Sequence, residues 1–177
     1  MKTALLIRWL FMAGAVLVGL IALMSCEHDE LWQAKKGLKA SRRHWEQMKR
    51  AKGDSYAYCL TFSSWLGYGH HTEIRVENGR VTSRSFYTFR VQTKDTTHVY
   101  TESVADLGTH KEGDPPLTID ELYDRCARDF LSVDPKQNDI FFETDDTGVL
   151  STCGYMPKGY VDGRLIGIHI AWIRWEK

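Results

Sequence analysis

The amino-acid sequence predicts an α+β fold, an antiparallel β-sheet meander with helices packed on one face, preceded by a signal peptide and a helical stalk. Between residues 53 and 104, apolar and polar residues alternate with a period of two, which is typical of half-buried strands. The dipeptide Asn78-Gly79 separates two of these stretches and favours a tight hairpin turn. Near residue 118 a capping sequence opens a helical pattern, and two further strand patterns follow. Strands joined by short turns, with few helices, indicate an antiparallel sheet.

Composition and charge fit a single folded domain of about 150 residues once a leader is removed. Aromatic residues make up 12% of the chain, which favours a folded domain over a disordered stalk. The formal net charge is zero, which argues against a nucleic-acid partner. The charge is nevertheless segregated. Residues 35–52 carry eight Lys or Arg against one acid, whereas residues 53–177 carry 13 Lys or Arg against 19 Asp or Glu.

The N-terminal stretch has the layout of a secretory signal peptide. Lys2 and Arg8 give a basic start, an apolar run from Trp9 to Met24 follows, and Ser25 precedes Cys26. The tetrapeptide at 23–26 resembles a bacterial lipobox. The resemblance implies that the Cys26 thiol receives a diacylglyceryl group, with palmitate among its acyl chains, and that membrane lipid is a partner. The alternative is an uncleaved N-terminal transmembrane helix, which needs about 20 apolar residues.

Either alternative places the body of the protein outside the cytoplasmic membrane, in the bacterial cell envelope. Glu27 follows the cysteine, whereas an Asp there would favour retention in the inner membrane of enterobacteria. The resemblance therefore favours a lipid anchor on the periplasmic face of the outer membrane, with the inner membrane as the alternative. We expect a signal peptide at residues 1–25, a lipidated basic linker or helix at 26–40, and one α+β domain at 41–177.

The basic segment after the cysteine is predicted to be helical. Leu31, Leu38 and Trp45 recur at intervals of seven, while Gly37 and Ser41 interrupt the pattern. Ser41 is therefore expected to cap a second helical segment over residues 42–51. The basic residues have two interpretations. They are attracted to anionic lipid, at about 1 kcal/mol per charge near the surface, or they form a solvated helix face.

The alternating segments predict a three-stranded meander over residues 56–63, 72–77 and 80–92. Residues 98–104 supply a short extra strand or an excursion. The Thr118 to Glu121 segment is a capping box, and it opens a helix that runs to about residue 131. A strand over 139–143, a turn over 145–148 and a loop over 154–163 follow. In the last strand we expect Ile166, Ile168, Ile170 and Trp172 on one face, with His169 and Ala171 on the other.

Three cysteines remain if Cys26 is lipidated, so at most one intrachain disulfide can form. Cys126 has helical spacing with the apolar residues of its helix, so it should face the core. Cys59 alternates against Tyr58 and Leu60, so it should lie on the opposite face of the sheet. Cys153 is expected in a loop that is free to reach that face. The sequence therefore predicts a Cys59–Cys153 disulfide, with Cys126 as a buried free thiol.

Several segments resemble a family of small secreted or lipid-anchored bacterial proteins known only as a domain of unknown function. The segments are Trp45, Ser55 to Tyr58, Val76 to Val81, Thr118 to Asp124 and Asp162 to Ile170, and together they span most of residues 41–173. The resemblance implies a lipoprotein built from one sheet and a helix. The family has no known activity, so the resemblance supplies no catalytic residue.

Three patterns could carry chemistry. Asp146-Thr147-Gly148 matches the core of an aspartic protease site, but that site needs a second copy. A metal could bind histidines, but adjacent strand residues point to opposite faces and no zinc spacing is present. A cysteine nucleophile paired with a histidine lacks a local signature. The histidines considered are His70, His71, His98, His110 and His169.

The sequence therefore leads us to expect no catalytic residue, no metal site and no cofactor. The aromatic residues either form an exposed surface for glycan or peptide recognition or belong to the core. We expect a non-enzymatic envelope lipoprotein that binds a ligand or an envelope protein. The alternatives are an envelope hydrolase with an unrecognised site and a purely structural accessory subunit.

Overall fold

The structure, a computed structural model, describes residues 30–159 and 164–176, so the predicted signal peptide and Cys26 lie outside the described residues. The α+β class is confirmed, because seven antiparallel strands and two helices make up this part of the chain. The elements are α1 (residues 30–52), β1 (Tyr56–Ser63), β2 (Tyr68–Glu77), β3 (Arg80–Arg90), β4 (Asp95–Ser103), α2 (Ile119–Arg125) with a π-helical turn (Cys126–Phe130), β5 (Asn138–Thr144), β6 (Leu150–Pro157) and β7 (Ile166–Trp175). The sheet order is β4-β3-β2-β1-β7-β6-β5.

The meander β1 to β4 forms as its alternating pattern predicts. Asn78 and Gly79 both have positive φ, 52° and 74°, as a tight hairpin between β2 and β3 requires. Residues 95–103 pair with β3, so the fourth strand predicted as an option is present. In β1, Tyr56, Tyr58 and Leu60 are buried on the face that carries the helices.

The two helices pack on one face of the sheet, as predicted. Helix α1 is continuous through residues 40 and 41, so the predicted interruption and N-cap at Ser41 are wrong. Ser41 is a buried mid-helix residue whose hydroxyl bonds to Tyr123 of α2 and to the carbonyl of Gly148. Ala34 of α1 is buried in the core as well. The first turns of α1 therefore pack against the domain.

Helix α2 begins as the sequence predicts. Thr118 is its N-cap and accepts the Glu121 amide, while the Glu121 carboxylate accepts the amide and hydroxyl of Thr118. The buried side chains of the helix face the sheet, and Tyr58 donates its hydroxyl to the carbonyl of Leu117 in front of it. The π-helical turn continues α2 to Phe130, close to the predicted end.

Strand β7 departs from the prediction in the register of its side chains. Leu60 pairs with Ile170 but Cys59 pairs with Trp172, so Ala171 is an extra residue in a β-bulge. The bulge places Trp172 on the outer face, which we define as the face opposite the helices. The predicted common face of Ile170 and Trp172 is therefore wrong. After the bulge, Ile173 and Trp175 pack against the core instead.

The predicted Cys59–Cys153 disulfide is also wrong. Cys153 bonds to Cys126, with 5.8 Å between their Cα atoms, and Cys59 is a free, buried thiol. Two parts of the reasoning are correct, because Cys126 faces the core and Cys59 lies on the outer face. The error lies in Cys153, which belongs to strand β6 and not to a loop. As a strand residue paired with Ile168 it faces the core beneath the π-helical turn.

The loop over residues 104–118 covers the helix-side face of β3 and β4. Arg84 and Glu102 lie beneath it, and both side chains are buried. Arg84 donates to the backbone carbonyls of His110 and Asp114, while Glu102 accepts the amides of Gly108 and His110. This polar pair therefore fixes the path of the loop.

Candidate ligand cleft

A cleft of about 1430 Å³ opens where β1 ends and where β2 and β7 begin. Its walls come from separate parts of the chain. Phe62 and His70 come from the two paired strands, Asp114 from the covering loop, and Phe130 from the π-helical turn. Arg164 lies two residues before the start of β7 and also lines the cleft. The antiparallel register, in which Phe62 pairs with His70, brings the first two side chains together.

The rim of the cleft carries exposed aromatic side chains. Trp65, in the connection between β1 and β2, is 82% exposed, and Tyr68 at the start of β2 is 53% exposed. The connection is held by hydrogen bonds and is not a free loop. The amide of Val91 donates to the carbonyl of Gly67, and the Gln92 amide group donates to the carbonyl of Leu66, both at 2.7 Å. The neighbouring β3–β4 hairpin therefore holds the backbone of the connection directly after Trp65.

Two guanidinium groups face the cleft from different elements. The Arg164 guanidinium lies 4.2 Å from the ring centre of Phe62, and that of Arg125 lies 5.5 Å from the ring centre of Phe130. Arg125 also pairs with Asp129 at 3.5 Å. A guanidinium over an aromatic face keeps its hydrogen-bond donors free along the edge of the plane. Both arginines can therefore donate to an anionic group in the cleft.

Asp114 supplies the carboxylate of the cleft lining and is held in place by Thr72. The Thr72 hydroxyl donates to the Asp114 carboxylate at 3.1 Å, and the Asp114 amide donates to the same hydroxyl oxygen at 3.0 Å. Two guanidinium groups and one carboxylate therefore line the cleft, and one of the guanidinium groups, that of Arg125, is itself paired with Asp129 outside the lining. The cleft lies in residues 53–177, where acids outnumber bases by 19 to 13.

His70 lies between two aromatic rings, 5.3 Å from Phe62 and 5.4 Å from Phe86, centre to centre. Burial lowers the pKa of His70 below its ordinary value of 6.5. The carboxylate of Asp114 opposes this shift, whereas Arg164 reinforces it. The imidazole is therefore mostly uncharged at neutral pH and contributes an aromatic face and a neutral hydrogen-bonding edge.

The histidines considered as metal ligands are distributed over the two faces of the sheet. His70 is on the helix side, while His71 stacks on Tyr87 at 4.7 Å on the outer face, as their alternation predicts. His98 contacts the same tyrosine at 5.1 Å. His110 stacks on Tyr100 and bonds to Glu102. Within residues 30–159 and 164–176, no three His, Cys, Asp or Glu side chains are grouped to hold a metal ion.

The Asp146-Thr147-Gly148 segment forms a turn. Asp145, directly before it, accepts the amides of Thr147 and Val149 and the Thr147 hydroxyl, which fixes the turn between β5 and β6. Asp146 itself is exposed. His169 bonds to Thr152 at 3.1 Å and borders the cleft from the outer face.

Cys59 lies on the outer face but is only 3% exposed, under Trp172 and Glu73, with which it pairs in register. Burial raises the pKa of its thiol to about 12, and Glu73 adds to the shift. A nucleophilic cysteine needs an accessible thiolate. Cys59 therefore acts here as a small apolar residue of the sheet.

Comparisons of the chain with protein-family models, curated proteins and solved structures found no match. The resemblance to lipid-anchored bacterial proteins stays an expectation from the sequence segments quoted above. Across the part of the chain that the structure describes, no helix has the length and apolar character needed to cross a membrane.

Sequence reasoning missed the cleft. The sequence patterns place its aromatic and charged residues in strands, loops or the helix without relating them to one another, and they do not single out Arg125, Asp114 or Arg164. No local spacing connects residues that come from five different segments. The one usable signal was Trp65, an aromatic residue in a short connection between two strands, where exposure is the rule.

Proposed function

We propose that this protein is a bacterial envelope lipoprotein, anchored through a diacylglyceryl group on Cys26, whose α+β body binds a small anionic ligand without transforming it. The lipobox-like segment supports the anchor. The Cys126–Cys153 disulfide supports an oxidising compartment such as the periplasm, because cytosolic proteins rarely keep disulfides.

One observation carries the binding proposal: the cleft combines an exposed tryptophan, on a connection whose backbone is hydrogen-bonded, with two guanidinium groups. Trp65 offers a flat face on which a sugar ring or an acyl chain can lie, and Arg164 offers donors for a carboxylate or a phosphate. Clefts with apolar walls and a few convergent polar groups are the usual form of small-molecule sites. The ligand class is therefore a small molecule with an anionic group beside an apolar or sugar face.

The same cleft offers little support for a hydrolase. A general base must lie within hydrogen-bond reach of a nucleophile or of a water held by a second group. Among the described residues, the imidazole of His70 has no hydroxyl or thiol partner and sits between two rings. Asp114 is held by Thr72, whose hydroxyl is buried. This arrangement supports binding over turnover.

Titration of the full-length protein in detergent tests the binding proposal. We would use three anionic probes, a uronic-acid oligosaccharide, an acidic peptide and laurate, each against an uncharged counterpart. We expect at least one anionic probe to bind more tightly than its counterpart and to be recovered unchanged. Arg164→Gln should weaken that binding about tenfold or more, as loss of a charge-assisted hydrogen bond requires.

The chain offers a matched control for that variant. Arg174 lies over Trp172 at 4.2 Å, the same geometry as Arg164 over Phe62, but on the outer face away from the cleft. Arg174→Gln should leave binding unchanged. Likewise Trp65→Ala should weaken binding, whereas Trp32→Ala on α1 should not. Equal loss in the control variants, or no binding of any probe, contradicts the proposal, and hydrolysis of a probe favours the enzyme alternative.

The anchor has its own test. Cys26→Ser should release the chain from membranes or leave it unprocessed, because serine cannot form the thioether to the diacylglyceryl group. Fractionation of cells in high salt detects release from the membrane, and the mass of the membrane-bound form shows whether the chain has been processed. A variant that matures at the same position and still pellets with membranes would show that the lipid anchor is wrong.

A further inference from the structure

Helix α1 presents one basic stripe to solvent. Its positions follow each other at intervals of three, four or seven residues, which places them on one side of the helix. They lie opposite the buried side chains of Ala34, Leu38 and Trp45. We define the basic stripe as Trp32, Lys36, Lys39, Arg43 and Arg50.

Three other basic residues of α1 are engaged with the domain and do not belong to the stripe. Arg42 pairs with Asp124 at 2.5 Å, and Lys49 pairs with Asp120 at 2.7 Å, both acids of α2. The Lys52 ammonium lies 5.5 Å from the ring centre of Trp175. These contacts fix the rotation of α1 about its own axis, so the side that carries the stripe is set by the fold.

The cations of the basic stripe have no acidic partner among the described residues. Lys36 lies 4.9 Å from the ring centre of Trp32, and the ring is 55% exposed. A tryptophan next to lysines on an exposed helix face is typical of segments that lie in a membrane interface. The stripe therefore has the chemistry of a surface that contacts anionic lipid headgroups.

The position of α1 in the chain supports the same occupant. The described part of α1 starts at residue 30, four residues after Cys26, and four residues span at most about 14 Å. If Cys26 carries the lipid anchor, residue 30 lies within that distance of the bilayer, and the stripe starts two residues further along the helix. The remainder of the described body is acidic, so an anionic surface would attract α1 and repel most other faces.

We infer that the basic stripe of α1 docks on anionic phospholipid headgroups and so orients the domain, with its helix layer toward the bilayer and its outer sheet face away from it. This inference rests on the anchor part of the proposed function and is independent of the cleft. The sequence left two interpretations of this basic segment, attraction to anionic lipid or a solvated helix face, and the inference selects the first. Each cation at the surface contributes about fivefold in binding.

Amine labelling of the full-length protein in vesicles tests the orientation. The protein is reconstituted in zwitterionic phosphatidylcholine or in the same lipid with about 30% phosphatidylglycerol, which gives the surface a negative potential. Acetylation rates of individual lysines are read by peptide mass spectrometry. We expect the acetylation rates of Lys36 and Lys39 to be lower by about fivefold or more in the anionic vesicles than in the zwitterionic ones. Lys94 in the β3–β4 turn and Lys111 in the covering loop are both exposed and should react equally in both.

Charge reversal at positions that are not themselves read out sharpens the test. In Arg43→Glu/Arg50→Glu, the protection of Lys36 and Lys39 should be largely lost. The control Arg80→Glu/Arg90→Glu makes the same charge change at exposed hairpin positions and should keep the protection. About 0.5 M salt should abolish the protection in the unaltered protein, because it shortens the screening length to a few ångströms.

The outcomes separate this inference from the proposals on which it rests. A protein that floats with both kinds of vesicle, but whose Lys36 and Lys39 react equally in both, is anchored without docking, and the inference is overturned. Equal loss of protection in the Arg80/Arg90 control also overturns it, because net charge would then explain the effect. A protein that fails to float overturns the anchor and the docking together. None of these results bears on ligand binding in the cleft.

Discussion

Arg84 and Glu102 face each other across β3 and β4 as a bidentate ion pair, with both contacts at 2.8 Å and side chains 3% and 0% exposed. Two buried charges are costly unless their remaining hydrogen-bonding groups are also satisfied. Here the covering loop satisfies them, with two backbone carbonyls for Arg84 and two backbone amides for Glu102. The pair therefore specifies the conformation of the loop that brings Asp114 into the cleft.

The first prediction concerns Glu102→Gln, which leaves the Arg84 guanidinium buried without a counter-charge. We expect the free energy of unfolding to fall by about 3–5 kcal/mol, measured by urea denaturation. Glu112→Gln, in the same loop but exposed, is the matched control and should change it by less than about 0.5 kcal/mol. A small effect in Glu102→Gln would mean that the pair does not stabilise the loop.

Replacing both charges should not restore stability. In Arg84→Met/Glu102→Met the amides of Gly108 and His110 lose their acceptor, at about 1–3 kcal/mol for each buried unsatisfied group. Full recovery in the double variant would show that the loop amides find water or another partner. If the single and the double variant both lose stability, the two buried charges stabilise the fold through their hydrogen bonds to the loop backbone as well as through their ion pair.

The sequence predicted local structure well where neighbours along the chain decide it. The alternation in β1, the hairpin at Asn78-Gly79 and the capping box at Thr118 depend on backbone preferences and on one buried face. These are properties of a few consecutive residues. The same alternation correctly placed Cys59 on the outer face.

Strand β6 could not be predicted in the same way, because tertiary pairing overrides its composition. Gly154 and the residues after it suggested a loop, but Gly154 pairs with Gly167 of β7. A Cβ atom on Gly167 would collide with the carbonyl oxygen of Cys153, so the glycines permit a close approach of two strands. The wrong disulfide follows from this single error. The bulge at Ala171 likewise leaves no trace in the sequence, because it depends on the register with β1.

The second prediction is the pairing of the cysteines. Peptide mapping without reduction should give a Cys126–Cys153 pair and an unmodified Cys59. Because the bridge spans a sequence separation of 27, Cys126→Ala/Cys153→Ala should lower the free energy of unfolding by about 3–4 kcal/mol in the chain-entropy account. Cys59→Ala is the control. Reduction of the disulfide should lower the free energy of unfolding of this variant as much as that of the unaltered protein. A mapped pair that includes Cys59 would contradict the assignment.

The third prediction is a dependence of stability on pH that originates at His70. Burial lowers its pKa below 6.5 in the folded protein, so the unfolded chain binds more protons just below that pH. The contribution of uncharged His70 to the free energy of unfolding is therefore complete above about pH 6.5 and is lost as the pH falls below that value. Urea denaturation between pH 7.5 and 5 should show this loss in the unaltered protein and a smaller one in His70→Gln. Equal slopes would remove His70 as the cause.

The pH range in which Glu102 affects stability begins lower, at about pH 4.5. Burial alone would raise the pKa of its carboxyl, but the bonds from Arg84 and from the amides of His110 and Gly108 hold it well below the ordinary 4.5. Stability from this group is complete above about pH 4.5 and is lost as the pH falls toward the folded-state pKa. A second loss below pH 4.5 should therefore be present in the unaltered protein and reduced in Glu102→Gln.

The last prediction concerns the hydrogen-bond chain that joins α1 to α2 and β6. The Ser41 hydroxyl donates to the carbonyl of Gly148 at 2.8 Å, so its oxygen accepts the hydroxyl of Tyr123 at 2.7 Å. The Tyr123 oxygen in turn accepts the amide of Leu150 at 3.0 Å. Tyr123→Phe leaves that buried amide without an acceptor, and we expect a loss of about 1–3 kcal/mol in the free energy of unfolding.

A double-mutant cycle with Ser41→Ala isolates the contact between the two hydroxyls. Because each single substitution already breaks that contact, the double variant should lose less than the two single losses added, with a coupling of about 0.5–3 kcal/mol. Tyr155→Phe, a half-buried tyrosine of β6 whose hydroxyl has no partner among the described residues, is the control and should cost less than about 0.5 kcal/mol. Strictly additive losses would mean that α1 is held to the domain by its apolar face and its ion pairs alone.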